Sequence, residues 1–440
     1  MLSDFININR NDNTPIYTQI YREIKKAIEN GCIQGEEKLP SVRKICVDLG
    51  VSKTTVETAY NALSAEGYIT NVPQKGYYVE KGIIIESKIN NKKTEDKKPE
   101  KIYKFDFSGK GIDKNISNVK EWRKYVKDVL NKDYLLNTYS ENQGEVELRK
   151  ALAKYAFSSR GVKTEYNNIV VGSGSQTLIY ILCGLLGLGK TVAMERNSFP
   201  QAEQVFSDFE YNIEYTECDS KGITVESLEK YKPDIILINP NYCTNGVSGM
   251  PITRKLEIIN YAEKHNAIIL EDDYNGELRY KSHPSACLQS YGTNCTIYIG
   301  SFSRILLPSM RISFMCLNEK LLNKYLMTKD NYNQTTSKIE QLALAEYIND
   351  GKLEKHLRKL RRYYNTKSDL MKNCIEKHFK CYGFNETAMY FELNGNSKLL
   401  KNSDVKAMRS SDENTIRLNF SQINSELIND GIDEVNRLIK

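Results

Sequence analysis

Residues 267–280 read AIILEDDYNGELRY, and the reading of the fold starts from this stretch. Ala267 to Leu270 form a short apolar run of strand length, closed by the acids Glu271, Asp272 and Asp273. Similar runs occur in NNIVVG, PDIILIN and CTIYIG, each separated from the next by an amphipathic stretch. Such alternation predicts an α/β domain with a mainly parallel sheet. Ligands of open α/β sheets bind at the carboxyl ends of the strands, so Asp272 and Tyr274 are delivered to a candidate site. An acidic loop held only by water would not be expected to end an apolar run.

Working outward, the chain of 440 residues exceeds what one hydrophobic core usually supports, which predicts two or three domains. Hydrophobic residues make up 40% and charged residues 27%, an ordinary globular composition. No apolar run approaches the roughly 20 residues that span a bilayer, and MLSDFININRND carries no apolar signal core. The ten cysteines lack CxxC pairs and there are four histidines, so neither a disulfide framework nor a zinc site is expected. A reducing cytoplasm fits best. The segment 81–104, KGIIIESKINNKKTEDKKPEKIYK, is rich in lysine and poor in apolar residues after Ile85, and reads as a linker. It separates a domain at 1–80 from one at 105–440, whose last part, about 330–440, is read as an α+β subdomain.

In the first domain, Ile16, Ile20, Ile24 and Ile28 lie on one helical face that ends near Gly31. Ser41 and Ser52 are good N-caps for two further helices joined through Gly50, with Val56, Tyr60 and Leu63 at helical spacing in the second. YITNVPQKGYYVE then reads as two strands around a Pro-Gln-Lys-Gly turn. Helix, turn, helix and wing together suggest DNA binding. The net charge of +6 does not decide it, because residues 1–80 hold nine Lys or Arg against ten Asp or Glu. Any contact with phosphate depends on where individual charges sit. LPSVR, VSKTTV, Tyr60, EGYI and KGYYV resemble the GntR-type winged helix-turn-helix. The resemblance implies that the helix from Ser52 enters the major groove, with Ser52, Lys53, Thr54 and Thr55 at its exposed start. Arg43, Lys44 and Lys75 are the expected phosphate contacts.

The order of motifs in residues 105–440 resembles a fold-type I aminotransferase-like domain, and its pairing with a GntR-type head resembles the MocR/GabR regulators. YSENQGEVELRKALAKY, from Tyr139 to Tyr155, is similar to that family's entry motif. GSGSQ, residues 172–176, lies between a strand and a helix, where free amides and the helix dipole suit a phosphate. The resemblance implies a pyridoxal phosphate site at Ser175 and Gln176, with Phe199 stacked on the ring. It further implies Asp272 at the pyridine nitrogen and Tyr274 at the ring oxygen, with Ser303 and Arg311 at the phosphate. INPNYCTNGVSG stands where the family has an Asn-Pro-Thr-Gly-like turn, with irregular spacing that leaves the ring-edge residue open between Asn241 and Tyr242. Arg417, in NTIRLNF, matches the arginine that forks onto a substrate carboxylate.

One departure governs the functional reading. In TIYIGSFSRILLPSMRISF the family's pattern has Ser-Lys, and the lysine carries the cofactor as a Schiff base; here Arg304 follows Ser303. Attack on an aldehyde carbon needs a neutral amine, which a guanidinium does not offer. The expectation is a cytoplasmic, homodimeric transcription regulator. Its head binds operator double-stranded DNA, and its large domain senses a small anionic effector without turnover. Pyridoxal 5'-phosphate, pyridoxamine phosphate or an amino-acid adduct would bind non-covalently; no metal, catalytic residue or membrane contact is expected. The competing readings are a pyridoxal-phosphate-dependent aminotransferase with a DNA-binding head, and a scaffold whose pocket is dead.

Overall fold

The computed structural model describes residues 6, 8–10, 12–81, 101–241, 249–282, 285–401, 403–408, 410 and 412–439. Most of the expected linker, residues 82–100, and Tyr242 lie outside the described residues. The chain divides into two compact units, residues 1–100 and 101–440.

In the first unit α1 (Ile16–Glu29) buries Ile20, Ile24, Ala27 and Ile28. It packs on α3 (Lys53–Ala65), which buries Val56, Ala59, Tyr60 and Leu63. Between them α2 (Val42–Leu49) is capped by Ser41, whose hydroxyl accepts from Lys44 N–H. Gly50 ends α2 at φ +63°, a left-handed value that glycine adopts without steric cost. The antiparallel pair β1 (Ile69–Val72) and β2 (Gly76–Val79) forms the wing, with Lys75 at its tip. Isoleucines 20, 24 and 28 thus close a core with the apolar face of α3.

The second unit opens with β3 (Phe105–Phe107) and helices α4 (Val119–Leu130), α5 (Asp133–Leu136) and α6 (Val146–Arg160). Then follow β4 (Ile169–Gly172), α7 (Ser175–Leu186), β5 (Thr191–Met194), α8 (Pro200–Asp208) and β6 (Asn212–Tyr215). A short hairpin, β7 (Cys218–Asp219) and β8 (Gly222–Ile223), leads to α9 (Val225–Tyr231), β9 (Ile235–Ile238) and α10 (Ile252–His265). The run that opened the analysis is β10 (Ile268–Asp272), followed by β11 (Thr296–Ser301) and β12 (Ser313–Cys316). These strands form a seven-stranded sheet in the order β4-β12-β11-β10-β9-β5-β6, with β12 antiparallel to both neighbours. β10 is central and pairs in parallel with β9 and β11. That position explains its apolar composition, because both its faces are covered.

The C-terminal part contains α11 (Glu319–Thr328), α12 (Lys338–Asn349) and the long α13 (Lys352–Glu376). After them a three-stranded antiparallel sheet joins β13 (Gly383–Asn385), β14 (Tyr390–Asn394) and β16 (Thr415–Asn419). β15 (Val405–Ala407) pairs in parallel with β3, tying the start of this unit to its end, and α14 (Ile428–Ile439) closes the chain.

Candidate nucleic-acid interface and ligand pocket

On the head, Arg43, Lys44, Ser52, Lys53, Thr54 and Lys75 are exposed and Thr55 is half-buried. The Ser52 hydroxyl accepts from Thr55 N–H at 3.2 Å and lies 2.9 Å and 2.7 Å from the Thr54 and Thr55 hydroxyls. Ser52 is therefore engaged as the cap of α3, as expected of serine there. Lys53 projects from the first turn and pairs with Glu57 at 3.2 Å.

In the large unit the sheet gathers the remaining candidates along its carboxyl edge. β4 runs into Gly174, the residue before α7, with φ +116°. A Cβ on Gly174 would stand 2.5 Å from Arg311 Nη2, so the absence of a side chain is what lets the guanidinium approach the first turn of α7. Arg311 itself adopts φ +52° and donates a long 3.5 Å hydrogen bond to the Ser303 hydroxyl, which follows β11. Ser175 and Gln176 open α7, whose unpaired N–H groups share this corner with a cation and a hydroxyl. Phe199 follows β5, half-buried against the core beneath α8.

β10 ends at Asp272, for which no hydrogen-bond partner occurs among the described residues. Burial, and then the charge of Asp273, push its carboxyl up to about 7. Asp273 faces the other way, into a network that the sequence reading missed. Arg160 Nε and Nη2 donate to its two oxygens at 2.5 and 3.0 Å, Tyr298 donates at 2.8 Å, and Asn241 Nδ2 donates as well. Burial works against ionisation of Asp273, but the Arg160 charge and these donors hold it below the usual carboxylate range. Asn241 is thereby buried in the network. The alternation of side chains along a strand would have separated the two aspartates; nothing in the sequence pointed to Arg160.

Arg304 makes four hydrogen bonds within the chain. Its Nε donates to the Tyr274 hydroxyl at 2.7 Å, Nη1 to Gly111 O at 3.2 Å and Ser421 Oγ at 3.0 Å, and Nη2 to Gly109 O at 2.5 Å. Among the described residues the hydroxyl hydrogen of Tyr274 has no acceptor. Arg417, on β16, lies opposite Glu392 of β14 and donates to it from Nε at 2.6 Å. Its side chain therefore meets a carboxylate of the chain itself.

A groups-and-edges match to pyridoxal phosphate follows from these positions. The cradle that a Cβ at Gly174 would fill, the unpartnered Asp272 carboxyl and the free Tyr274 hydrogen suit a phosphate, a protonated pyridine nitrogen and a ring oxygen in turn.

A winged helix followed by a sheet with an anion cradle at its carboxyl edge defines a class: a DNA-binding regulator that carries an aminotransferase-like unit. The chain belongs to the aminotransferase class I and II family, whose model matches residues 110–435, while the model for bacterial regulatory proteins of the gntR family matches residues 16–79. It is 32% identical over 376 residues to the uncharacterized HTH-type transcriptional regulator YdeL of Bacillus subtilis (strain 168), covering 84% of this chain and 81% of that one. It is 25% identical to the probable rhizopine catabolism regulatory protein MocR of Rhizobium meliloti, covering 84% of this chain and 79% of that one. It is 24% identical to the pyridoxine biosynthesis regulator PdxR of Corynebacterium glutamicum, covering 85% and 82%. The fold is that of the kynurenine aminotransferase of Pyrococcus horikoshii, with a TM-score of 0.69 at 24% identity over 77% of this chain and 91% of that one. The chain is thus a MocR-type helix-turn-helix regulator rather than a free-standing aminotransferase. Its aminotransferase-like fold implies pyridoxal phosphate binding in the family. No described helix is long and apolar enough to cross a membrane.

Proposed function

We propose that the large unit senses pyridoxal phosphate, pyridoxamine phosphate or an amino-acid adduct of one of them, held without a covalent bond. The head, on this reading, binds operator DNA as a cytoplasmic homodimer. The observation that carries the reading is the set of four hydrogen bonds fixing Arg304 to Tyr274, Gly109, Gly111 and Ser421. An arginine at the place of the attachment lysine offers no neutral amine, and here its guanidinium braces three segments instead. Ser175, Gln176, Ser303 and Arg311 would hold the phosphate, Phe199 the ring face, Asp272 the pyridine nitrogen and Tyr274 the ring oxygen. When bound, the cofactor supplies an electron-withdrawing ring that a neutral amine would be needed to exploit. Arg417 would leave Glu392 to meet the carboxylate of an amino-acid portion. The ligand acts on the head only through a difference in affinity for two arrangements of the protein.

A lysine-bearing site strongly prefers the aldehyde form of the cofactor, because capture adds a covalent bond. The non-covalent site predicts similar, reversible affinities for pyridoxal phosphate and pyridoxamine phosphate, measured by titration calorimetry on the full chain. Binding of pyridoxal phosphate that resists dialysis while pyridoxamine phosphate washes out would contradict it.

A further inference from the structure

The head carries no excess of positive charge, and four of its ten acids are engaged away from the start of α3. Tyr68 donates to Glu29, Tyr21 and Lys25 donate to Glu66, Thr70 donates to Glu80, and Gln34 N–H donates to Glu37. Glu57 differs. It is the one acid in the α3 sequence KTTVETAYNALSA, and it lies on the flank of the face that buries Val56, Ala59, Tyr60 and Leu63. Its side chain is 40% exposed and that of Lys53, its partner one turn earlier at 3.2 Å, is 76% exposed. A carboxylate on a helix that lies between phosphate backbones is repelled by them, unless it meets a donor at the floor of the groove.

The neighbouring hydroxyls already bond within the helix start. Ser52, Thr54 and Thr55 bond among themselves, and the Thr58 hydroxyl donates to Thr54 O at 2.8 Å. The charged pair is therefore the foremost polar feature on the exposed start of α3. It consists of a donor and an acceptor side by side.

We infer that Lys53 and Glu57 read one G·C base pair of the operator, with Glu57 setting the specificity. In the major groove guanine presents O6 and N7 as acceptors, and cytosine presents the N4 amino group as a donor. O6 and N4 are themselves hydrogen-bonded across the pair at about 2.9 Å, close to the 3.2 Å between Lys53 Nζ and Glu57 Oε1. Lys53 keeps two N–H donors after pairing with Glu57, enough for O6 and N7, while Glu57 keeps acceptor capacity for N4. An A·T pair fits worse: its amino donor stands between two acceptors, adenine N7 and thymine O4, which both repel a carboxylate, whereas cytosine N4 has one acceptor neighbour, O6.

The test is selection of random DNA duplexes by the full-length protein, followed by sequencing, for wild type, Glu57→Gln and Glu57→Ala. Position 57 is on the surface, so equal melting temperatures are expected and serve as the folding control. Wild type should enrich a G·C pair at one position of the site. Glu57→Gln should shift that position toward A·T by roughly tenfold or more, since glutamine bonds adenine N6 and N7 together. Glu57→Ala should lose the preference there and keep it elsewhere. If both variants enrich the wild-type sequence and merely bind every duplex more tightly, Glu57 only balances Lys53 and the inference is overturned. If wild type enriches no sequence at all, the operator-binding reading falls and the inference falls with it.

Discussion

A guanidinium offers five N–H donors in a planar fork, and Arg304 spends four of them on two backbone carbonyls, a serine and a tyrosine hydroxyl. Three of those partners, Gly109, Gly111 and Ser421, are more than a hundred residues away in the sequence, which is why the bracing role of Arg304 was not legible in its local motif. Arg417 shows the same limit. Its motif marked it as an anion fork, whereas its ion pair depends on the register that sets Glu392 across from it. The adjacent aspartates diverge as well: Asp273 is ionised against Arg160, while burial, and then the Asp273 charge, push Asp272 up to about 7. A carboxyl whose value is raised by folding binds its proton more tightly in the folded chain. Its contribution to stability is therefore present at low pH and is lost as the pH rises from about 4 to about 7. Asp272→Asn removes the titration. Its melting temperature relative to wild type should climb across that window, by the equivalent of about 1 kcal/mol or more at pH 8. A difference that stays flat with pH would remove Asp272 from the account of the pocket's electrostatics.

Among the elements, the turn from β4 into α7 combines the most constraints. Gly174 sits at φ +116°, and a side chain there would collide with Arg311. Gly174→Ala should displace the guanidinium and weaken binding of pyridoxal phosphate by roughly tenfold or more, the loss of one charge-assisted hydrogen bond of about 1.5–3 kcal/mol. Titration calorimetry reads the affinity and thermal unfolding reads the accompanying strain; unchanged affinity would mean that the phosphate sits elsewhere. The Gly-Ser run was visible in the sequence as a strand-to-helix junction. What it could not reveal was the cation folded over that junction from Arg311, on the far side of β11 in the chain. The helices of the head were more legible, because each buried face follows a simple periodicity, Ser41 and Ser52 cap α2 and α3, and the left-handed Gly50 ends α2.

At the scale of the whole molecule, the chain joins two units that each close their own core. The head holds Ile20, Ile24, Ala59, Tyr60 and Leu63 together, and the large unit folds about the central strand β10. The boundary between them falls at residues 100 and 101, within the lysine-rich segment read as a linker. The contacts that join β3 to β15, and thus the beginning of the large unit to its end, could not be read from local pattern. Regulation requires that a ligand in the large unit favour one arrangement of the molecule over another. Reversible occupancy suits that role, because the bound fraction then follows the free concentration of the ligand. Borohydride reduction of the full chain mixed with pyridoxal phosphate, with peptide mass spectrometry of wild type and Arg304→Lys, addresses this claim most directly. The account predicts no cofactor fixed anywhere in the wild-type pocket and fixation at position 304 once lysine is restored. Cofactor fixed to the wild-type pocket would contradict it.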